Sequence, residues 1–246
     1  MIILMNNGNN STTGSSRARY LGLIGGLGVG ATIHYYRELV KAHDARGSTP
    51  QLLIAHADML RVLEHVRTGD SAGLARYLAE IVGRLHAGGA QLAAISAVTP
   101  HFCVSELCAM SPLPLVNLLG SLSEEIDARG IRRAALFGTR FTIETSLFGQ
   151  LKGVQLVMPR PDEITLIHNT YLEVAQSGVG SDEHKSTLTA LAHELRERDG
   201  VDAIILAGTD LALLFNAANT DFPHVECSRV HINAIMNALF ENTDCA

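Results

Sequence analysis

Apolar residues along this chain fall into two alternating patterns. Leu21 to Ile24, Leu52 to His56 and the segment AAISAVTPHF (93–102) begin as short continuous apolar runs, the profile of strands buried on both faces. Between them the spacing is helical. Leu74, Leu78, Ile81 and Leu85 share one face, while Arg76, Glu80 and Arg84 occupy another at i,i+4 spacing that suits solvent. Asp70 or Ser71 is the expected cap of that helix, and Gly88-Gly89 ends it. The first strand turns through Gly25 to Gly30 into a helix expected to reach about Lys41. Strands alternating with helices predict an α/β fold with mainly parallel sheets.

The pattern is written twice. Leu188, Leu191 and Leu195 line a later helix that ends at Asp199-Gly200, followed by VDAIILAGTD. Gly208 lies eight residues after Gly200, just as Ala97 lies eight after Gly89, an offset of 111 between the copies. Leu23-Ile24-Gly25-Gly26 matches Leu136-Phe137-Gly138-Thr139 at an offset of 113. These matches predict a duplicated α/β unit, two similar Rossmann-like lobes. Strand carboxyl ends are the usual ligand site in such sheets, so Ala97 and Gly208 are expected to face each other across a cleft. The expected organisation is a flexible leader over 1–18, a first lobe of 19–120 with 217–246, and a second lobe of 121–216. The last helix, around 230–240, is expected to pack back on the first lobe.

Composition narrows the partners. The chain has 246 residues, a formal charge of −6 and no dense run of Lys or Arg, which argues against nucleic acid or an anionic membrane. No apolar run approaches the roughly 20 residues of a membrane span. The opening MIILMNNGNNSTTGSSRAR lacks the basic start and long apolar core of a secretory signal. Cys103, Cys108, Cys227 and Cys245 have neither zinc-motif spacing nor the density of a disulfide scaffold. A cytoplasmic protein with reduced thiols is the expectation.

Five segments, in order, resemble the cofactor-independent aspartate/glutamate racemase superfamily, especially its aspartate racemase branch. IGGLGVGAT (24–32) and LFGTRFT (136–142) look like the loops that open its two domains. ISAVTPH (95–101) falls where the family has Pro-Cys-Asn-Thr-Ala-His, LAGTDL (206–211) where it has Gly-Cys-Thr-Glu, and SRVHINAI (228–235) where it has a segment containing Ile-His-Ala. The resemblance implies a racemase-like fold with lobes related by a pseudo-twofold axis, a small amino or carboxylic acid bound between them, no cofactor or metal, and a homodimer. It also implies a mechanism in which two cysteines act from opposite faces, one removing the α-proton as thiolate and the other returning one as thiol. Here Ala97 and Gly208 stand in place of both cysteines, Val98 in place of Asn and Asp210 in place of Glu. Two-cysteine racemisation is therefore not expected.

What the resemblance leaves is a binding set: Gly26, Leu27 and Gly28 of the first loop, with Thr99, Thr139, Thr142 and Thr209. Each threonine has an alternative role, satisfying a local turn through its hydroxyl. Asp210, His56 and His101 are the candidate catalytic residues, with Glu226 and His231 also considered. Asp210 alternatively caps the helix that follows it, and His101 alternatively has a structural role. One acid/base group suffices for decarboxylation, elimination or one-sided isomerisation. Two functions follow: a PLP-independent isomerase or lyase using non-cysteine residues, or a catalytically inactive homologue acting as a ligand-binding or regulatory protein. A nucleotide-binding alternative rests on Gly26, Gly28 and Ala31, which satisfy G-x-G-x-x-A. Its acidic partner, Asp58, lies beyond the usual spacing of about 20 residues. Glycines in this loop more simply allow close backbone approach to a small carboxylate.

Overall fold

The strand Leu21–Gly25 (β1) is buried at every position, so it needs cover on both faces and hydrogen-bonded neighbours on both edges. The computed structural model describes residues 18–151 and 153–241; the expected leader falls almost wholly outside them. β1 turns into the helix Val29–Asp44 (α1), which leads through Leu52–His56 (β2), Met59–Thr68 (α2) and Ser71–Ala87 (α3) to Leu92–Ile95 (β3). Asp70 caps α3 by accepting from Gly73 N–H at 2.8 Å. A 3-10 turn over Thr99–Cys103 and the helices Val104–Met110 (α4) and Leu118–Ala128 (α5) complete this half.

The second half repeats the plan. Arg133–Phe137 (β4) is followed by Arg140–Glu144 (α6), a 3-10 turn over Ser146–Gln150, Gln155–Leu156 (β5), Pro161–Ser177 (α7) and Asp182–Asp199 (α8). Ala203–Leu206 (β6) runs into a 3-10 turn over Thr209–Leu213, and His224–Glu226 (β7) leads into Cys227–Phe240 (α9). Both sheets are wholly parallel, in the orders β2-β1-β3 and β5-β4-β6-β7. The first sheet also has a fourth position. Ala93 N–H donates to Pro114 O and Val116 N–H to Ala93 O, both at 2.9 Å, as Ile204 N–H donates to Pro223 O at 3.0 Å in the second. Strand order and the proline-bearing edge therefore repeat together, and the repeat read from the sequence is a repeat of structure.

The two halves exchange their closing helices. Leu118, Leu119, Leu122 and Ile126 of α5 leave the first sheet and pack into the core around β4 and β6. Ile232, Ile235, Met236 and Leu239 of α9 leave the second sheet and pack against Leu21, Leu23 and Leu39. This corrects the expected lobe boundaries: β7 is hydrogen-bonded to β6 and belongs to the second sheet, while α5 belongs with the second core from Leu118 onward. β7 has only three residues, too few for a periodic signal. The expected return of the last helix to the first lobe is observed. Among the described residues, no helix is long and apolar enough to cross a membrane.

Candidate active site

The carboxyl ends of β3 and β6 meet at a cavity of about 230 Å³ between the lobes, below the roughly 300–1,000 Å³ typical of sites for drug-sized ligands. Ala97, Val98 and Thr99 form one wall, and Gly208, Thr209 and Asp210 the other. Leu27 and Gly28 enter from the β1–α1 loop, Thr139 and Thr142 from the β4–α6 turn. The roof is largely apolar: Met59, Val62 and Leu63 from α2 face Leu172 and Ala175 from α7, with Tyr171 and Gln176 as its polar members. No Lys or Arg is among the described lining residues, and Asp210 is the one acidic group.

The first wall is braced from behind by His101. Its Nδ1 faces the carbonyls of Ala97 and Val98 at 3.0 and 3.2 Å, and its Nε2 receives Leu118 N–H at 3.3 Å. Carbonyls only accept, so Nδ1 carries the hydrogen and Nε2 is bare: both nitrogens of a neutral ring are used. Burial pushes its pKa down to about 4, although the two carbonyl bonds oppose the shift. His101 is thus a structural brace and does not line the cavity, which removes it as a candidate base. His231 is likewise closed, with Tyr35 Oη at 3.0 Å on Nδ1 and Val116 O at 2.9 Å on Nε2; burial drives it down to about 3.

The second wall carries a charge. Asp210 Oδ1 accepts from Ala31 N–H at 3.0 Å, in the first turn of α1, where the helix dipole favours an anion. Its Oδ2 accepts from the hydroxyl of Tyr171 at 3.0 Å. Gly28, at a φ of 120°, and Gly30 make the approach possible, since a Cβ at either would come within 2.9 or 3.2 Å of the carboxylate oxygens. The glycine loop does admit a carboxylate, but it is the protein's own. That occupancy also leaves the nucleotide reading without its phosphate site, and Asp58 is spent capping α2 through Leu60 and Arg61 N–H. Burial raises the pKa of Asp210 against the opposing bonds from Tyr171 and Ala31. Burial, and then the neighbouring Asp210 charge, hold the Tyr171 phenol well above its usual value.

The remaining candidates divide. Leu27, Gly28, Thr99, Thr139, Thr142, Thr209 and Asp210 come together at the cavity. Thr139 and Thr142 hydroxyls bond each other at 2.8 Å, and Thr139 Oγ1 also accepts Thr142 N–H. Two hydroxyls carry two protons and their mutual bond uses one, so one O–H remains for a ligand. Thr209 spends its hydroxyl on Ser96 O at 3.3 Å, a stitch between lobes rather than a ligand contact. Gly26 and His56 are not among the lining residues: the exposed His56 packs over Gly26, where a Cβ would meet its Nδ1 at 2.7 Å. Neither borders the cavity, in contrast to the role expected of each. Glu226 accepts from Ser228 Oγ at 2.6 Å and lines a different surface cleft with His34 and Arg229. Cys103 is buried with its thiol pushed up to about 12, and none of the described cysteines lines the cavity.

Sequence reasoning missed Tyr171 and Gln176. The available signal was indirect: a glycine at 208, at a strand end in a close-packed interior, implies that another group fills the space beside it. Nothing local to the 208 segment says which. Among the described residues, no group of three or more His, Cys, Asp or Glu side chains could hold a metal ion.

Comparison with known proteins agrees with this architecture. The family model for Asp/Glu/hydantoin racemases matches residues 24–235. A candidate Asp/Glu racemase from Yersinia pestis superposes with a TM-score of 0.79 at 24% identity, covering 91% of this chain and 100% of the other. An aspartate racemase homologue from Pyrococcus horikoshii gives 0.78 at 23% identity, with the same coverage of each chain. Glutamate racemase from Thermus thermophilus gives 0.60 at 16%, covering 94% of this chain and 85% of that one. At these identities the structural likeness speaks for the fold.

Proposed function

This chain belongs to the Asp/Glu/hydantoin racemase family, and on that premise we propose that it binds a small carboxylic acid bearing an apolar substituent and exchanges a proton on one face of the acid's α-carbon. It acts as a cofactor-independent isomerase or lyase. The observation that carries this reading is the asymmetry of the cavity: Asp210 lies in the wall at Gly208, whereas the opposite wall offers Ala97, Val98 and the hydroxyl of Thr99. A hydroxyl without a neighbouring base is a hydrogen-bond donor, not a proton acceptor at neutral pH. Racemisation requires acid/base groups on both faces; decarboxylation, elimination and one-sided isomerisation require one.

The lining supports the substrate class. Apolar side chains of α2 and α7 suit an alkyl or aryl substituent, and the O–H left over from the Thr139–Thr142 pair suits a single carboxylate. A second carboxylate would find no Lys or Arg among the described lining residues and would face the charge of Asp210. Proton NMR of the protein with substituted acetic and malonic acids, aspartate and glutamate in D₂O tests this. Enzyme-dependent deuterium at one α-carbon face, or a new product of single configuration, is expected with the apolar-substituted acids. Exchange on both faces, or none while a ligand still raises the melting temperature, would count against one-faced catalysis, the latter in favour of a binding protein.

A further inference from the structure

We propose that Tyr171 is a catalytic residue of this site: its phenolic oxygen exchanges a proton with the substrate carbon on the Gly208 side while its own hydroxyl proton passes to Asp210. The inference rests on the one-faced reading above and names the group that touches the carbon.

Three observations meet at this residue. A Cβ built on Gly208 would lie 2.2, 2.8 and 2.9 Å from Cε2, Cδ2 and Cζ of Tyr171. The ring therefore occupies the space that any side chain at 208 would need, and position 208 and Tyr171 are sterically coupled. Next, the hydroxyl donates to Asp210 Oδ2 at 3.0 Å, and both residues line the cavity. Finally, the other carboxylate oxygen is held by Ala31 N–H, so the acceptor of the phenolic proton is fixed to the first lobe. Both oxygens of Asp210 have partners, and the partner that borders the cavity is Tyr171. The phenol thus gives the carboxylate a hydrogen-bonded route to a ligand beside its own place in the lining.

The step balances without a co-reactant. The substrate C–H bond breaks and its proton joins the phenolic oxygen, while the phenol's O–H bond breaks and that proton joins Asp210 Oδ2. The C–H electron pair stays on the carbon and delocalises into the adjoining carboxyl. Tyr171 ends neutral, as it began, Asp210 ends as the neutral acid, and the negative charge has moved to the substrate. Reversal returns a proton to the same face. A free phenolate beside the carboxylate is disfavoured by burial and by the Asp210 charge, and the relay forms none.

The test is Tyr171→Phe in the full chain, which keeps the ring over Gly208 and removes the hydroxyl. With the acid that exchanges deuterium in the wild type, exchange is expected to fall by at least about 100-fold, the scale of a lost general acid/base, while the ligand-induced rise in melting temperature persists. Asp210→Asn is expected to slow exchange similarly. Undiminished exchange in Tyr171→Phe would overturn the role of Tyr171 and leave the one-faced reading standing. A fall accompanied by loss of the ligand-induced rise would also overturn it, as positioning rather than proton transfer. Absence of exchange or turnover in the wild type would overturn both.

Discussion

The two walls of the cavity are built on the same repeated strand-and-turn unit, yet they are held by opposite chemistry. Behind Ala97, a neutral histidine bonds backbone to backbone and puts nothing ionisable into the space. Beside Gly208, a carboxylate ties the first turn of α1 to a phenol on α7 and faces the cavity. Both walls lack the thiol that the family resemblance leads one to expect. At the second, the Tyr171 ring lies where a side chain at 208 would. A pseudo-symmetric fold thus carries an asymmetric site. A glycine at a strand end need not leave a gap, because in a close-packed interior a neighbour occupies the space.

The largest expected effect sets the two walls against each other in acid. His101 is held near 4 in the folded chain against an ordinary 6.5, so its contribution is complete above 6.5 and is lost as pH falls from 6.5 towards 4. Asp210 has the opposite sign. Its folded pKa is raised, so its contribution is complete below the ordinary 3.8 and is lost as pH rises through the raised value. With His231 adding to the histidine side, urea unfolding from pH 7 down to 4.5 should show a net loss of roughly several kcal/mol, at about 1.4 kcal/mol per pKa unit. In His101→Gln the slope over that interval should be shallower; equal slopes would mean that the histidine is not held neutral.

Asp210→Ala comes next. It strands Ala31 N–H and the Tyr171 hydroxyl together, and a loss of about 3 kcal/mol is expected for bonds made to a charged group. Asp210→Asn, which can still accept from Ala31, should lose less than half of that. Equal losses in chemical denaturation would show that charge, not bonding, holds the second wall.

The smallest effect is the sharpest comparison. Gly208→Cys must displace the Tyr171 ring and should cost about 1–3 kcal/mol, the range for overpacking. Ala97→Cys points into the cavity and should change the melting temperature little. Adding Tyr171→Ala to Gly208→Cys should recover part of the loss, which would establish the steric coupling; strict additivity would argue against it.

Much of the fold was legible because it follows from local rules. Buried runs at strand length, helical periodicity and caps such as Asp70 depend on neighbours a few residues apart, and the repeat is a matter of counting. The site was legible mainly through the family resemblance, which singled out Thr99, Thr139, Thr142 and Asp210, and these residues lie together at the cavity. His56 and His101 were both candidates in the sequence, His101 with a structural alternative, since burial and the direction of a ring leave no trace in local spacing. The exchange of α5 and α9 between lobes was half visible, and β7 was too short to see.

By itself, then, the sequence determined the alternation of strands and helices, the duplication, the apposition of Ala97 with Gly208 and the absence of a thiol from both positions. The tertiary structure decided what stands there instead. Asp210 reaches a helix start 179 residues earlier in the chain, and Tyr171 crosses from α7 into the space above Gly208. Both depend on which surfaces the two halves press together. Glycine in the 26–30 loop is readable as permission for a carboxylate to come close; which carboxylate comes is settled by packing, because a gap in a dense interior is filled by whatever the fold brings beside it.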